Sequence, residues 1–162
     1  MTAAVDPRAM MAELMTRLTG PGAAFELVEQ DVCGARMQVL AHRERAVGEL
    51  LEQSRQYGDA DYLVTEDGRL SFTQHLQAVA SLSHALSAQH GIGKGDRVAI
   101  LAANAPEWIV AFWALASLGA ITVGFNAWWT TPEVGFAVEH STPSLIITDA
   151  KRAGLLGMAD VP

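Results

Sequence analysis

Hydrophobic and polar positions are most regular between Gly95 and Asp149. Arg97-Val98-Ala99-Ile100-Leu101-Ala102-Ala103 is a short, almost wholly apolar run, the pattern of a strand buried on both faces. Asn104-Ala105-Pro106-Glu107 then predicts a helix start, with Asn104 as cap, Glu107 as its reciprocal partner and Pro106 where no backbone donor is needed. Trp108 to Leu118 is apolar around nearly its whole circumference, so this helix should be covered on more than one side. Gly119 is a left-handed stop. Ile121-Thr122-Val123-Gly124-Phe125 reads as a second buried strand, and Thr131-Pro132-Glu133 opens another helix by the same cap-then-proline chemistry. Ser141-Thr142-Pro143 ends that helix, and Ser144-Leu145-Ile146-Ile147-Thr148 is a third strand. Strand, helix, strand, helix, strand with short connections predicts a parallel sheet with right-handed crossovers.

The preceding residues add smaller elements. Asp6-Pro7 caps a first helix whose stripe is Met10, Met11, Leu14, Met15 and Leu18, with Gly20-Pro21-Gly22 as its stop. Docking on the body is the common fate of such a terminal stripe. Phe25–Val28 and Met37–Leu40 flank a turn at Cys33-Gly34 and predict a two-stranded ribbon. Val47, Leu50, Leu51, Ser54 and Tyr57 keep helical spacing up to Gly58. Tyr62–Thr65, the turn Glu66-Asp67-Gly68-Arg69 and Leu70–Phe72 make a hairpin signal, because Asp-Gly suits the required turn geometry. Ser71 with Gln74 forms a capping box for a helix to about His90, whose inner face is Phe72, Leu76, Val79, Leu82, Ser83 and Leu86.

Composition narrows the function classes. The 162 residues are half hydrophobic and 18% charged, a globular balance with room for a real core. A net charge of −7 argues against nucleic acid as a partner, because phosphate contacts need clustered Lys and Arg. A lone Cys33 suits a reducing cytoplasm, and the first residues lack the basic-then-apolar pattern of a signal peptide. Trp108 to Phe125 carries no charge and is long enough to be weighed as a membrane span. Gly119 and the β-branched Ile121-Thr122-Val123 divide it into helix and strand, and the basic flank is missing on one side, so no transmembrane segment is expected.

Candidate chemistry is sparse. Gly91-Ile92-Gly93-Lys94-Gly95 looks like a phosphate loop, but it runs from helix to strand, the reverse of a cradle aimed by a helix N-terminus. It reads as a helix C-cap and turn. His42, His75, His84, His90 and His140 show no paired helical spacing and Cys33 has no partner, so no metal site is expected. There is no Gly-x-Ser-x-Gly elbow, and His140-Ser141 beside Glu139 reads as a helix end. Asn104 and Glu107 follow a strand's carboxyl end, the edge where open α/β sheets bind ligands, although helix capping also accounts for both. Trp128 and Trp129 put two indoles into a polar connection, either to pack against a neighbouring part of the fold or to contact a ligand.

Gly95-Asp96-Arg97-Val98-Ala99-Ile100-Leu101, Asn104 with Pro106-Glu107-Trp108, Leu118-Gly119-Ala120, Asn126, Thr131-Pro132-Glu133 and, upstream, Leu70-Ser71-Phe72-Thr73 together resemble the early part of AMP-forming acyl-CoA ligases of the adenylate-forming family. The resemblance runs from about Ala46 to Asp149. It implies an α/β fold, a layered parallel or mixed sheet with flanking helices as in the N-terminal subdomain of adenylate-forming enzymes. Residues 46–162 would be a partial adenylating-domain core and residues 1–45 a helix-and-ribbon extension, one folded unit overall. Family members use ATP and Mg²⁺ to turn a carboxylic acid into an acyl-adenylate, from which the coenzyme A thiol displaces AMP. Their phosphate machinery is a Ser/Thr/Gly-rich loop ending in Pro-Lys-Gly, later acidic residues and a lysine of a mobile C-terminal domain.

No residue of this chain matches that machinery, and no Lys or Arg lies between Val98 and Ala150. The expectation is therefore the N-terminal segment of a fatty-acid-CoA ligase, cytoplasmic, with no catalytic residue, cofactor site or metal site of its own. Its partner would be the remainder of the ligase or a self-associating copy, with a fatty acid as substrate in the full-length context. Trp128, Trp129 and Asn104 are the candidates for an interface or for a wall of the acyl site. The alternative is a non-catalytic interaction or dimerisation module that binds through the Met10–Leu18 stripe and the Trp128-Trp129 loop.

Overall fold

The computed structural model describes residues 6–157. The chain divides after Arg45 into two compact units. The first holds α1 (Pro7–Thr19), β1 (Leu27–Val32) and β2 (Ala35–Leu40). Asp6 caps α1 by accepting from the Arg8 backbone at 3.0 Å. β1 and β2 pair antiparallel from Leu27↔Leu40 to Val32↔Ala35. Their turn needs two residues of positive φ, supplied by Cys33 (53°) and Gly34 (84°), and Asp31 Oδ1 accepts from the Gly34 backbone at 3.0 Å. Within this unit the ribbon does not cover the α1 stripe: no residue of the helix is buried, and Met10 and Met11 are each 58% exposed. A two-stranded ribbon has no second layer with which to cover it.

The second unit begins with α2 (Val47–Gln53), continued by a 3₁₀ turn over Ser54–Tyr57, and the hairpin β3 (Asp61–Val64) and β4 (Arg69–Ser71). The turn expected over Glu66–Arg69 falls one residue earlier, from Thr65 to Gly68, with the Thr65 backbone donating to Gly68 O at 2.9 Å, and Gly68 keeps out of the left-handed region that the Asp-Gly signal implied. The loop closes without a paired positive φ. Ser71 and Gln74 form the capping box on α3 (Phe72–His90), with reciprocal bonds of 2.9 and 3.2 Å, and Gly91 ends the helix at φ 65°.

The core is a three-stranded parallel sheet in the order β6-β5-β7, made of β5 (Arg97–Leu101), β6 (Ile121–Gly124) and β7 (Leu145–Thr148). Between them run α4 (Pro106–Leu118) and α5 (Thr131–Ser141), and a short α6 (Ala150–Ala153) follows β7. The register sets Ala99 opposite both Val123 and Ile146. Alternate β5 side chains serve opposite layers. Val98 and Ile100 pack with Val79, Leu86, Ala111 and Leu115 of α3 and α4, whereas Ala99 and Leu101 pack with Phe125 and Val134 on the α5 side. Arg97 secures the opposite end, donating to Ser141 O at 2.6 Å and to Thr142 Oγ1 at 2.6 Å where α5 stops.

Three expectations shift. Among the described strands β5 alone is buried over most of its length, from Val98 to Leu101, with Arg97 exposed; β6 pairs on one side and leaves Ile121 50% exposed. The α4 cap is Ala105, not Asn104, and no side chain caps the helix, so Glu107 has no reciprocal role. Proline disfavours helical backbone in the residue before it, and Ala105 is accordingly extended (φ −154°, ψ 161°). Likewise the α5 cap falls on Thr130, whose N–H and hydroxyl each donate to Glu133 at 2.7 Å.

Leu115→Ala should destabilise the protein by about 3 kcal/mol, the usual result of opening a cavity in a filled core. Met11→Ala should change the free energy by less than about 0.5 kcal/mol. Urea unfolding followed by circular dichroism reads both.

Candidate functional site

The sheet itself singles out one edge. β5 leads into α4, which packs on one face, and β7 leads through α6 to Leu155 and Leu156, which pack on the other. The outgoing chains therefore part between two adjacent strands, the switch point at which open α/β sheets form a ligand crevice. A cavity of about 230 Å³ lies there, lined by Ala102, Ala103, Ala105, Trp108, Thr148 and Asp149 among others. The run of alanines after β5 is what leaves it open. A wider cleft of about 470 Å³ shares Ala105 and Trp108 and continues to Leu63, Val64 and Thr65, with Asn104 on its rim.

Polar residues at this edge hold loops together. Asp149 Oδ2 accepts from the Ala103 backbone at 3.0 Å, and Oδ1 caps α6 through the Arg152 backbone at 2.9 Å. The Arg152 guanidinium returns to Asp149 Oδ2 at 2.7 Å and donates from Nε to Ala127 O at 2.9 Å. Thr148 Oγ1 donates to Leu101 O at 2.9 Å. The segments that follow β5, β6 and β7 thus meet at one ion pair, with Arg152 only 7% exposed. The Ala103 backbone N–H is the main cause holding the Asp149 carboxyl below its ordinary range, and the Arg152 backbone and guanidinium add to it.

Asn104 is exposed beside the cleft, free of the capping duty expected of it. The two indoles separate. Trp129 turns in and packs against Phe125, ring centroids 5.7 Å apart, on the wall of an apolar groove of about 500 Å³ with Val123, Pro132 and Phe136. Trp128 stays 85% exposed. Asn104 and Trp129 thus line different cavities, so the sequence candidates do not form one site.

The Asp149–Arg152 pair was not singled out from sequence. Its signal was there: an aspartate at the end of an apolar strand with an arginine three residues on, the spacing of a helix cap and its partner. His75 was likewise missed; it is buried on the inner side of α3.

At the sheet edge the buried Arg152 is engaged by Asp149 and Ala127, and the carboxylates Glu107 and Asp149 both line the cavity. Among the described residues no cluster of three or more His, Cys, Asp and Glu could hold a metal ion, and no helix is long and apolar enough to cross a membrane. The glycines before β5 make a C-cap and a turn, with Asp96 Oδ2 accepting from Gly93 N–H at 2.8 Å.

A doubly wound parallel layer with its crevice at the carboxyl edge is the architecture of an open α/β ligand-binding domain, here of the kind in the N-terminal subdomain of adenylate-forming enzymes. A family profile described as AMP-binding enzyme matches residues 50–160, and the chain belongs to that family, as an N-terminal part of an AMP-forming acyl-CoA ligase. The acyl-CoA ligase sidI of Beauveria bassiana is 36% identical over 108 residues, covering 65% of this chain and 19% of that relative. The crotonobetaine/carnitine–CoA ligase of Salmonella paratyphi A is 35% identical over 103 residues, 59% of this chain and 19% of the relative. The inhibitor-bound N-terminal domain of FACL13 from Mycobacterium tuberculosis superposes with a TM-score of 0.67 at 30% identity, over 74% of this chain and 31% of that one. The chain spans about a fifth of the length of these curated relatives.

Two predictions follow from the geometry. Because Asp149 has a lowered folded-state pKa, its contribution is complete above the ordinary carboxylate value of 3.8 and is lost as pH falls through the folded value. Asp149→Asn should therefore lower the urea midpoint at pH 7, and its deficit against the parent should shrink below pH 3.8. Trp129→Ala should cost about 2 kcal/mol, a partly buried ring lost. Trp128→Ala should stay within about 0.5 kcal/mol, and the same unfolding curves compare the two.

Proposed function

We propose that this chain is the first layer of the adenylating half of a fatty-acid-CoA ligase. In the full-length enzyme it contributes the parallel sheet and one wall of the acyl site, at the cleft beside Asn104. The single observation that carries this reading is the family match over residues 50–160, laid on a sheet whose carboxyl edge opens into an apolar cleft. The lining supports an apolar chain better than a charged head: Leu63, Val64, Trp108 and Ile109 outnumber Thr65 and Asn104. The complete reaction, carried out in the cytoplasm, joins a fatty acid to coenzyme A with ATP and Mg²⁺. The carboxylate attacks the α-phosphate and releases pyrophosphate, and the thiol then displaces AMP. In this reading triphosphate handling belongs to other parts of the enzyme, and the isolated chain does not form acyl-adenylate.

A second reading is favoured by the exposure of Trp128 at 85% and of Phe136 at 68%, a large apolar area for a free surface. Here the chain is a non-catalytic module that pairs with the rest of the ligase or with its own copy.

Purified chain incubated with ATP, Mg²⁺ and fatty acids of several lengths should give no ATP–pyrophosphate exchange above the protein-free control. Robust exchange would overturn the first reading. Sedimentation of the parent and of Trp128→Ala tests the self-pairing form of the second: a dimer that the substitution weakens supports it, and a monomer indifferent to the substitution counts against it.

A further inference from the structure

We propose that His75 makes the seating of the β3–β4 hairpin on α3 and α4 acid-sensitive, so that acidification loosens one wall of the cleft beside Asn104. This does not depend on what the cleft binds.

The imidazole is 1% exposed, and neither ring nitrogen has a hydrogen-bond partner among the described residues. A neutral ring accepts such a place at the price of one unmet donor and one unmet acceptor. It lies against Tyr62 of β3, centroids 4.4 Å apart, and Tyr62 packs in turn on Phe72 at 4.7 Å. Phe72 meets Tyr57 of the 3₁₀ turn at 4.8 Å. Tyr62 Oη accepts from Trp113 Nε1 of α4 at 3.1 Å. One cluster of mutually tilted rings therefore joins the hairpin to both helices, with His75 at its buried end.

A proton on this ring would have no counter-ion. The charged or titratable groups on the surrounding elements are Asp61 and Tyr62 of β3, Arg69 of β4, Arg55 and Tyr57 of the 3₁₀ turn, Glu107 of α4, and His84 and His90 of α3 itself. Asp61 pairs with Arg69, and Arg55 with Glu52. None reaches a ring nitrogen of His75. Burial accordingly holds the imidazole below its ordinary value of 6.5. The sign follows: the neutral, seated state has its full stability above pH 6.5 and loses it progressively as pH falls below that value. Tyr62 covers the ring, so lifting Tyr62 and its strand away brings water to a charged His75. Leu63, Val64 and Thr65, next along that strand, line the cleft opposite Ala105 and Ile109, so lifting the strand opens it.

Hydrogen exchange with mass spectrometry at pH 7.5 and pH 5.5, corrected for intrinsic rates, tests this on the 162-residue chain. Peptides over residues 58–72 should lose protection on acidification, by up to about tenfold per pH unit, the linkage limit for one proton. Peptides from β5 should hold, and His75→Leu should abolish the acid effect. Equal protection at both pH values, or an acid effect that survives in His75→Leu, would overturn the proposal. If that variant does not fold, imidazole NMR of the parent alongside the exchange decides: protection over residues 58–72 lost in step with protonation of a His75 ring titrating below 6.5 supports it, and a His75 ring titrating at or above 6.5 refutes it.

Discussion

Every other feature of the second unit depends on β5 having a neighbour on all four sides. Val98, Ala99, Ile100 and Leu101 are wholly removed from water, hydrogen-bonded to β6 on one edge and β7 on the other, and covered above and below by helices. Parallel strands tolerate this only because crossover helices arrive on both faces. The two crossovers do so by opposite routes. α4 carries the chain to β6 on one side of β5, and α5 carries it back past β5 to β7. That reversal covers both faces and opens the crevice between β5 and β7. Stability and a possible binding edge therefore share one topological cause.

The carboxyl edge needs its own fastening, because three strand ends would otherwise continue into independent loops. Asp149 and Arg152 provide it with one ion pair and several backbone contacts. Both partners satisfy backbone groups as well as each other, the condition under which a largely buried pair is tolerated. The same engagement ties Arg152 to Asp149 and Ala127, so the pair fixes the shape of the edge.

Much of the local structure was legible in sequence because it arises from short-range chemistry. Ser71 with Gln74 marked a helix start, Gly91 and Gly119 marked stops, and Cys33-Gly34 marked a hairpin turn, each within a few residues of its cause. The apolar run from Val98 to Leu101 announced a strand buried on both faces, and the alternation of elements announced a parallel sheet. Errors fell where two local rules competed. Asn104 and Pro106 both bid for the start of α4; the proline prevailed because it restricts the backbone before it, which a capping side chain cannot offset. β6 was read as buried because its composition matches that of β5, although composition cannot say which strand lies at an edge.

What the sequence determined by itself, then, is the order and kind of elements and the family they belong to, since propensity, capping and period act along the chain. Only the tertiary structure decided which side chains meet. It turned Trp129 inward and left Trp128 outside, although they are neighbours of the same type. It brought Asp149 to Ala103 and Arg152 to Ala127, and it enclosed His75 among aromatic rings. Those pairings join residues far apart in the chain, and no local preference encodes the geometry of a crossover.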